Sequence, residues 1–300
     1  MKILVTNHWL KKMGGSETFT YTLIGELVRC GHEVDVYSKL AGNVAVRIYK
    51  DFKVKARETT GKLPYDIVLA SHKTCVETVR SIYDGLIIQT CHGTTPKLEQ
   101  PYLGIPGHVA ISEEVQSYLF NRYDLESVVI YNGIDCNRFR PIKTLNPKIK
   151  KVLSLSHSES LNKKLTKYFH AKGISFLSHS KYMNPVWHIQ EEMNKVDLVI
   201  SLGRGVYEAM ACGRAVLVLD HRPYQDMLGD GILTEYNFFD MIKFNCSGRA
   251  YRRKDLSEIL DESLEIYNPL MGIRNRELAL EYLNIENQVN KYLQYYEQIK

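Results

Sequence analysis

No run in this 300-residue chain approaches the length of apolar residues that a membrane span needs, and no secretion signal opens it. Ile3-Leu4-Val5 gives way at once to Asn7, His8, Lys11 and Lys12. The protein is therefore expected to be cytoplasmic. Cysteine is sparse: Cys30, Cys75, Cys91, Cys136, Cys212 and Cys246 stand singly, with no C-x-x-C pair. Neither a zinc ribbon nor a disulfide framework is indicated, and buried reduced thiols are expected. The dinucleotide fingerprint G-x-G-x-x-G and the phosphate loop G-x-x-x-x-G-K-[ST] are both missing, which argues against a Rossmann dehydrogenase and against an ATPase or kinase of the phosphate-loop kind. A two-lobed ligand receptor of the periplasmic type is disfavoured by the missing signal. No repeat of twenty to fifty residues is visible.

Charge of one sign is also in short supply. Lys and Arg number 39 against 34 Asp and Glu, a net +5 that is too weak for a general nucleic-acid binder. Much of the excess lies between Arg47 and Lys62, where six basic residues face only Asp51 and Glu58. The alternation of Arg47-Ile-Tyr-Lys-Asp-Phe-Lys-Val-Lys predicts an exposed strand there. Such a patch suits an anionic lipid or an acidic glycan, and a merely solvated surface is the alternative.

What the chain does have is the make-up of a protein with a large core: 44% apolar and 24% charged residues. Val- and Ile-rich runs alternate with stretches of helical period, the pattern of parallel sheets covered by helices on both faces. Strands are expected at Lys2–Thr6, Glu33–Ser38, Asp66–Ser71, Leu86–Cys91, His108–Ile111 and Val128–Tyr131, with helices at Ser16–Cys30, Thr74–Tyr83 and Glu113–Tyr123. Residues 134–150 lack sustained periodicity and carry two prolines, so they are expected to be a linker. The pattern restarts with strands at Lys151–Ser156, Ile174–Ser178, Asp197–Leu202, Ala215–Asp220 and Ile232–Thr234. Helices fall near Lys163–Lys172, Val186–Lys195 and Val206–Cys212, and two long ones at 255–267 and 273–298. The expected division is an N-terminal Rossmann-like domain over 1–143, a second over 144–275, and a C-terminal helix over 276–300.

Three segments could carry chemistry. The first strand ends in Thr-Asn-His, and Gly14-Gly15-Ser16-Glu17 then opens a helix. Glycines there allow close backbone approach, and the helix N-terminus favours an anion or sugar hydroxyls, although a plain helix start fits equally. His92, in Cys91-His92-Gly93, stands just past a strand end, where ligands bind in open α/β sheets. As a lone loop histidine it is also compatible with a structural role, as are His157 and His221, which follow later strands. The strongest segment runs from Asp197 to Asp220: strand, glycine-rich turn, short helix, Gly213 stop, strand. Gly203 and Gly205 let the backbone close on a ligand, and the amides opening the helix can hold a phosphate. Glu208, expected in the first helical turn, could accept from ribose hydroxyls or merely suit the helix dipole.

At this segment a family resemblance emerges. Glu208-Ala-Met-Ala-Cys-Gly before a hydrophobic strand resembles the donor-site signature of the retaining group-1 (family 4) glycosyltransferases, which have the GT-B fold of two Rossmann-like domains facing across a cleft. Met1–Ser38 is similar to the family's first strand, Gly-Gly-x-Glu turn, helix and second strand. Pro64-Tyr-Asp-Ile-Val-Leu-Ala-Ser-His resembles its fourth strand, Cys91-His92-Gly93 its histidine loop, and His108-Val-Ala-Ile-Ser-Glu-Glu-Val its next strand and helix start. Val129-Ile-Tyr-Asn-Gly-Ile-Asp-Cys-Asn-Arg-Phe-Arg-Pro matches the end of the family's N-terminal domain almost residue by residue. The pieces occur in the family's order along nearly the whole chain.

The resemblance implies a glycosyltransferase that moves a sugar from a nucleotide diphosphate sugar, UDP- or GDP-linked, to a hydroxyl of a glycan, lipid or small molecule with retention of configuration. It places Gly15, with Gly14, near the acceptor and leaving group, and His92 against the transferred sugar. Lys163, with Lys164 beside it, falls at the position of the lysine that contacts the diphosphate. Glu208 takes the ribose, and Gly203, Arg204, Gly205 and Val206 form the phosphate-facing turn. Two departures stand out. Ser156-His157 replaces an arginine after the first strand of the second domain, and Ile200 stands where the family has a first glutamate. Arg204, inside a shortened turn, is expected to supply part of the missing positive charge. No metal or other cofactor is expected, and the chain has no Asp-x-Asp pair, which the other glycosyltransferase fold uses to hold a divalent cation. A non-catalytic protein of this fold that binds a nucleotide sugar or a partner is the alternative.

Overall fold

Strands apolar along their whole length are usable only where a sheet is covered on both faces, and that is how the chain folds. The structure, a computed structural model, describes residues 1–60, 64–222 and 227–300. It divides into two units, Met1–Gly133 with Ile285–Lys300, and Ile134–Asn284.

The first unit runs β1 (Lys2–Leu10), α1 (Gly15–Arg29), β2 (Glu33–Ala41), α2 (Asn43–Phe52), β3 (Ala56–Arg57), β4 (Ile67–Ser71), α3 (Lys73–Arg80), β5 (Ile87–Cys91), β6 (Gly107–Ala110), α4 (Glu113–Tyr123) and β7 (Val128–Val129). Its sheet has the order β3-β2-β1-β4-β5-β6-β7 and is parallel throughout. This is the doubly wound order whose direction reverses between β1 and β4. Every residue of β4 and β5 is buried. Val68, Cys75, Val76, Val79 and Ile87 form one core cluster, and Cys91, Ile111, Val115 and Leu119 form another.

The second unit runs β8 (Lys151–Ser154), α5 (Glu159–Ala171), β9 (Ser175–Ser178), α6 (Ile189–Met193), β10 (Leu198–Ser201), α7 (Arg204–Ala211), β11 (Ala215–Asp220), β12 (Leu228–Ile232), α8 (Phe238–Lys243), α9 (Leu256–Ile266) and α10 (Leu270–Leu278). Its sheet order, β12-β11-β10-β8-β9, reverses between β8 and β10. β12 pairs antiparallel with β11, so the edge strand begins four residues before its expected start at Ile232. The two Rossmann-like sheets make this an α/β protein. Among the described residues no helix is long and apolar enough to cross a membrane. Cys75, Cys91, Cys136, Cys212 and Cys246 are buried free thiols, whereas Cys30 is exposed.

Three expectations need correction. The basic segment after Arg47 is not an exposed strand: most of it is α2, whose Val44, Ala45 and Ile48 are buried at helical spacing. An Arg47–Asp51 pair at 2.7 Å adds an i,i+4 contact, and this period outcompetes the two-residue alternation of Arg47–Lys55. Lys62, the last basic residue of the patch, lies outside the described residues. The stretch 273–298 is not one helix. A π-helical turn at Ala279–Leu283 and an extended Asn284 separate α10 from α11 (Ile285–Ile299). Ala279 and Leu283 are buried within the second unit. α11 belongs to the first, where the Tyr292 hydroxyl bonds Thr90 Oγ1 at 2.8 Å and Val289 is fully buried.

The stretch 134–150 is no free linker either. It is irregular because its amides bind a side chain rather than a strand. The buried Asp197 carboxylate accepts from Asn146 N–H (3.1 Å), Asn146 Nδ2 (2.8 Å), Lys150 N–H (2.9 Å) and Lys151 N–H (3.1 Å). The guanidinium of Arg214, also buried, donates to the carbonyls of Lys143, Val196 and Cys212. An Asp197→Ala variant leaves those amides without their acceptor. Its urea midpoint is expected to fall by the equivalent of about 3 kcal/mol. A midpoint equal to that of the wild type would show that Asp197 does not hold the segment.

Candidate functional site

Parallel strands deliver their following loops to one edge of the sheet, so the polar residues after them gather by construction. In the second unit β10 ends at Ser201, and the chain reverses at Gly203, whose φ of +55° and ψ of −130° disfavour any side chain. Its N–H is spent on the carbonyl of Cys246 at 2.9 Å, and the Asn245 side chain accepts from Tyr207 OH at 3.0 Å. Gly205 is needed for a different reason: a Cβ there would lie 2.2 Å from Ser201 Oγ. It lets α7 sit against β10, which is a packing role. Val206 is wholly buried, and its N–H is spent on the Gly203 carbonyl at 2.9 Å.

α7 starts two residues earlier than the sequence pattern indicates, which moves Glu208 out of the first turn. Dipole complementarity therefore does not account for it. Arg204 and Glu208, one turn apart, form an ion pair at 2.9 Å with both side chains nearly buried. Burial pushes the Glu208 carboxyl up, against the pull of Arg204 and Arg138, and the same burial lowers Arg204. Arg138, from the Asn132-Gly-Ile-Asp-Cys-Asn-Arg-Phe stretch, is itself seated on the Trp187 carbonyl and over the Trp187 ring. Arg204 thus faces Glu208, not only the turn where a phosphate was expected.

The other reversal-point strand, β8, leads into Ser156-His157-Ser158, where Ser158 caps α5 through the N–H of Leu161. Lys163, on α5, is exposed and pairs with Glu159 at 2.8 Å. The neighbouring Lys164 sits close enough to lower His221, behind the larger effect of burial. Burial, then the charge of Lys181, likewise lowers His157, whose ring is met edge-on by Tyr182 at 5.1 Å. At the end of β11 the buried Asp220 binds Arg222 and lies 3.9 Å from Arg249. At the end of β11, therefore, His221, Arg222 and Arg249 lie around one buried carboxylate with Lys164 beside His221, while His157 follows β8 next to Lys181 and Tyr182. Sequence reasoning named Lys164, His157 and His221 but not Arg222 or Arg249, because the two arginines carry no motif.

In the first unit Asn7, fully buried, ties β1 to the start of α1: its Nδ2 donates to Thr20 Oγ1 at 2.9 Å and to the Ser16 carbonyl at 3.2 Å. Gly14 is extended, and a Cβ there would lie 2.3 Å from the Glu17 carboxylate, whereas a Cβ on Gly15 would meet nothing within 4 Å. His92 follows β5, with Nε2 3.3 Å from Ser71 Oγ and its ring edge-on to Phe19 at 4.9 Å. His72, just after β4, has its ring 6.5 Å from that of His92, and His8, within β1, has its ring 6.4 Å from that of His72. His8 Nδ1 lies 2.7 Å from Thr74 Oγ1, and burial, then His72 and Lys39, lowers its pKa. Among the described residues no group of three His, Cys, Asp or Glu side chains is arranged to hold a metal ion.

No protein-family model matches the chain, and no curated protein matches it. Solved structures do, and they place the fold among glycosyltransferases of GT-B type. A glycosyltransferase from Rickettsia africae shares 16% identity at a TM-score of 0.64, covering 99% of this chain and 98% of its own. A Listeria monocytogenes protein described as a UDP-N-acetylglucosamine 2-epimerase shares 11% at 0.61, covering 100% and 97%. An alpha-glucosyltransferase in complex with UDP and a DNA 13-mer shares 10% at 0.56, covering 99% of both chains.

The packing role of Gly205 is directly testable. Gly205→Ala is expected to cost roughly 1–3 kcal/mol of stability through overpacking, and Ser201→Ala in the same chain to recover most of it. Thermal melts of the two variants check this. Equal melting of Gly205→Ala and wild type would mean that the glycine serves something other than the β10 contact.

Proposed function

We propose that the protein is a retaining glycosyltransferase of the group-1, family-4 kind. It transfers a hexosyl group from a UDP- or GDP-linked sugar to an acceptor hydroxyl on a glycan, lipid or small molecule. The observation that carries the proposal is the carboxyl edge of the second unit's sheet, where the Gly203 reversal and the Arg204–Glu208 pair follow β10 and basic side chains follow β11. Two of the structural neighbours support it, since one is named for a UDP-sugar and another was crystallised with UDP.

Cleaving the bond between anomeric carbon and phosphate puts negative charge on the diphosphate. Lys164, His157, His221 and Arg222 are then the groups that stabilise the leaving group, without a metal. Lys163 is a further diphosphate contact, once it leaves Glu159. Glu208 accepts from the ribose hydroxyls, and Arg204 keeps that carboxylate ionised and aimed. Gly203 and Gly205 admit the donor backbone-close. In the first unit Gly14 and Gly15 leave room beside the acceptor, and His92 meets the transferred sugar. Attack by the acceptor on the face the phosphate leaves gives retention. α2 exposes Val46 and Tyr49 beside Lys50 and Lys53, and this face is the one we assign to peripheral contact with an anionic membrane surface.

A thermal-shift screen against UDP, GDP, ADP and CMP and their common sugars tests the donor site. One nucleotide at a hundred times its Kd is expected to add about 2.7 kcal/mol, and Glu208→Ala to abolish the shift. NMR of the product then reads the anomer: transfer or slow hydrolysis with retained configuration supports the reading. Interconversion of two sugar nucleotides would make it an epimerase, and binding without turnover a donor-binding protein. Silence across the panel would sink the donor site.

The histidines add a pH dependence. Both imidazoles titrate below their ordinary range in the free protein, and a diphosphate beside them favours the protonated form. Affinity for a sugar nucleotide is therefore expected to rise several-fold as pH falls from about 7.5 to about 6. The sugar nucleotide has no phosphate proton of its own titrating near neutrality. Titration calorimetry on wild type and on His157→Ala/His221→Ala checks this, and a flat wild-type profile would overturn it.

A further inference from the structure

Glu99 is a carboxylate placed among histidines. It ends a short helical turn, Lys97–Glu99, between β5 and β6, and its side chain is largely buried. Oε2 accepts the backbone N–H of His92 at 3.0 Å, and Oε1 lies 3.3 Å from His72 Nε2. His72 in turn accepts the His8 N–H on Nδ1 at 3.2 Å. An imidazole that accepts on Nδ1 carries its proton on Nε2, so His72 donates to Glu99 and its tautomer is fixed. His72 is also held at a φ of +75°, a left-handed conformation that a side chain adopts at a cost. One carboxylate therefore joins the loops that leave β4 and β5, and through His72 the end of β1.

We propose that Glu99 is the positioning residue for His92: it fixes the His92 backbone and, through His72, the neighbouring strand end, so that the His92 ring keeps its place between Ser71 and Phe19. This rests on the reading above, in which His92 meets the transferred sugar. Burial alone would push the Glu99 carboxyl up, but the His72 hydrogen bond, the electrostatic pull of His92 and the His92 N–H outweigh it and hold the carboxyl below its ordinary range. Two donors converge on its two oxygens. A glutamine offers one oxygen and one amino group, so it can satisfy only one of them.

The test is a double-mutant cycle on the full chain, with the sugar nucleotide that the thermal screen selects. Glu99→Ala is expected to lower kcat about a hundredfold with little change in donor KM, Glu99→Gln to fall between, and Glu99→Ala to have no further effect in a His92→Ala background. Equal losses in both backgrounds would show that Glu99 does not act through His92. Histidine 15N spectra read the same claim without turnover. Glu99→Ala must shift the ring resonances of His72 and His92 and leave His170, exposed on α5 of the other unit, unmoved. Unchanged His72 and His92 signals overturn the proposal whether or not the wild type turns over any donor. Failure of the wild type to turn over any donor, with those signals shifted, removes the glycosyl-transfer reading alone.

Discussion

A parallel strand ends at the same edge as its neighbours, and that constraint organises everything functional in this chain. The residues after β1, β4 and β5 meet because their strands do, and so do those after β8, β10 and β11. Where the strand order reverses, successive helices leave on opposite faces and the loops part, which opens a crevice floored by strand ends. Gly14, His8 and His72 lie by that point in one unit, and His157, Gly203 and Gly205 in the other. His72 is far in sequence from His8 and Gly14, and His157 from Gly203 and Gly205, and no local signal relates them.

Buried carboxylates recur in both units. Asp197, Asp220, Asp230, Glu99 and Glu208 each sit out of water, and each is surrounded by N–H donors or guanidinium groups. A bare carboxylate could not stay ionised there, so the donors are the condition of its burial. In return it fixes backbone that belongs to neither helix nor strand. Asp197 holds the chain entering the second unit, Asp230 the turn at Gly248–Arg252, and Glu99 the His92 loop. Irregular segments are thus ordered by charge rather than by a ladder.

The strands and most helices were legible because apolar runs and helical periods are local properties. Glu113–Tyr123 and Ala215–Asp220 match their expected bounds to the residue. The misreadings have physical causes. Arg47–Lys55 carries two periods at once, and tertiary burial of Val44 and Ile48 chose between them. The stretch 134–150 looks featureless because its partner, Asp197, lies about fifty residues on. In the candidate site, Gly203, Arg204 and Glu208 were visible as one segment, since a strand, a turn and a helix stand in a row. The reason for Gly205 was not, because it depends on Ser201 across the helix–strand contact. The histidine set around Glu99 was invisible beyond His92, as His8 and His72 meet it only through strand order.

The break at Asn284 has a consequence for how the chain comes to be folded. The unit that spans Ile134–Asn284 is continuous in sequence, and all its partners have emerged once α10 and its π-helical turn are made. The other unit is split: β1 to β7 are synthesised first but must wait for α11 to cover Thr90, Gly107 and the outer face of α1. Domains generally fold as units during synthesis, the N-terminal one first. Here the later-made unit is the first to be complete, and the earlier one finishes last, so a nascent chain carries an uncovered apolar face for the time it takes to translate about half of its length.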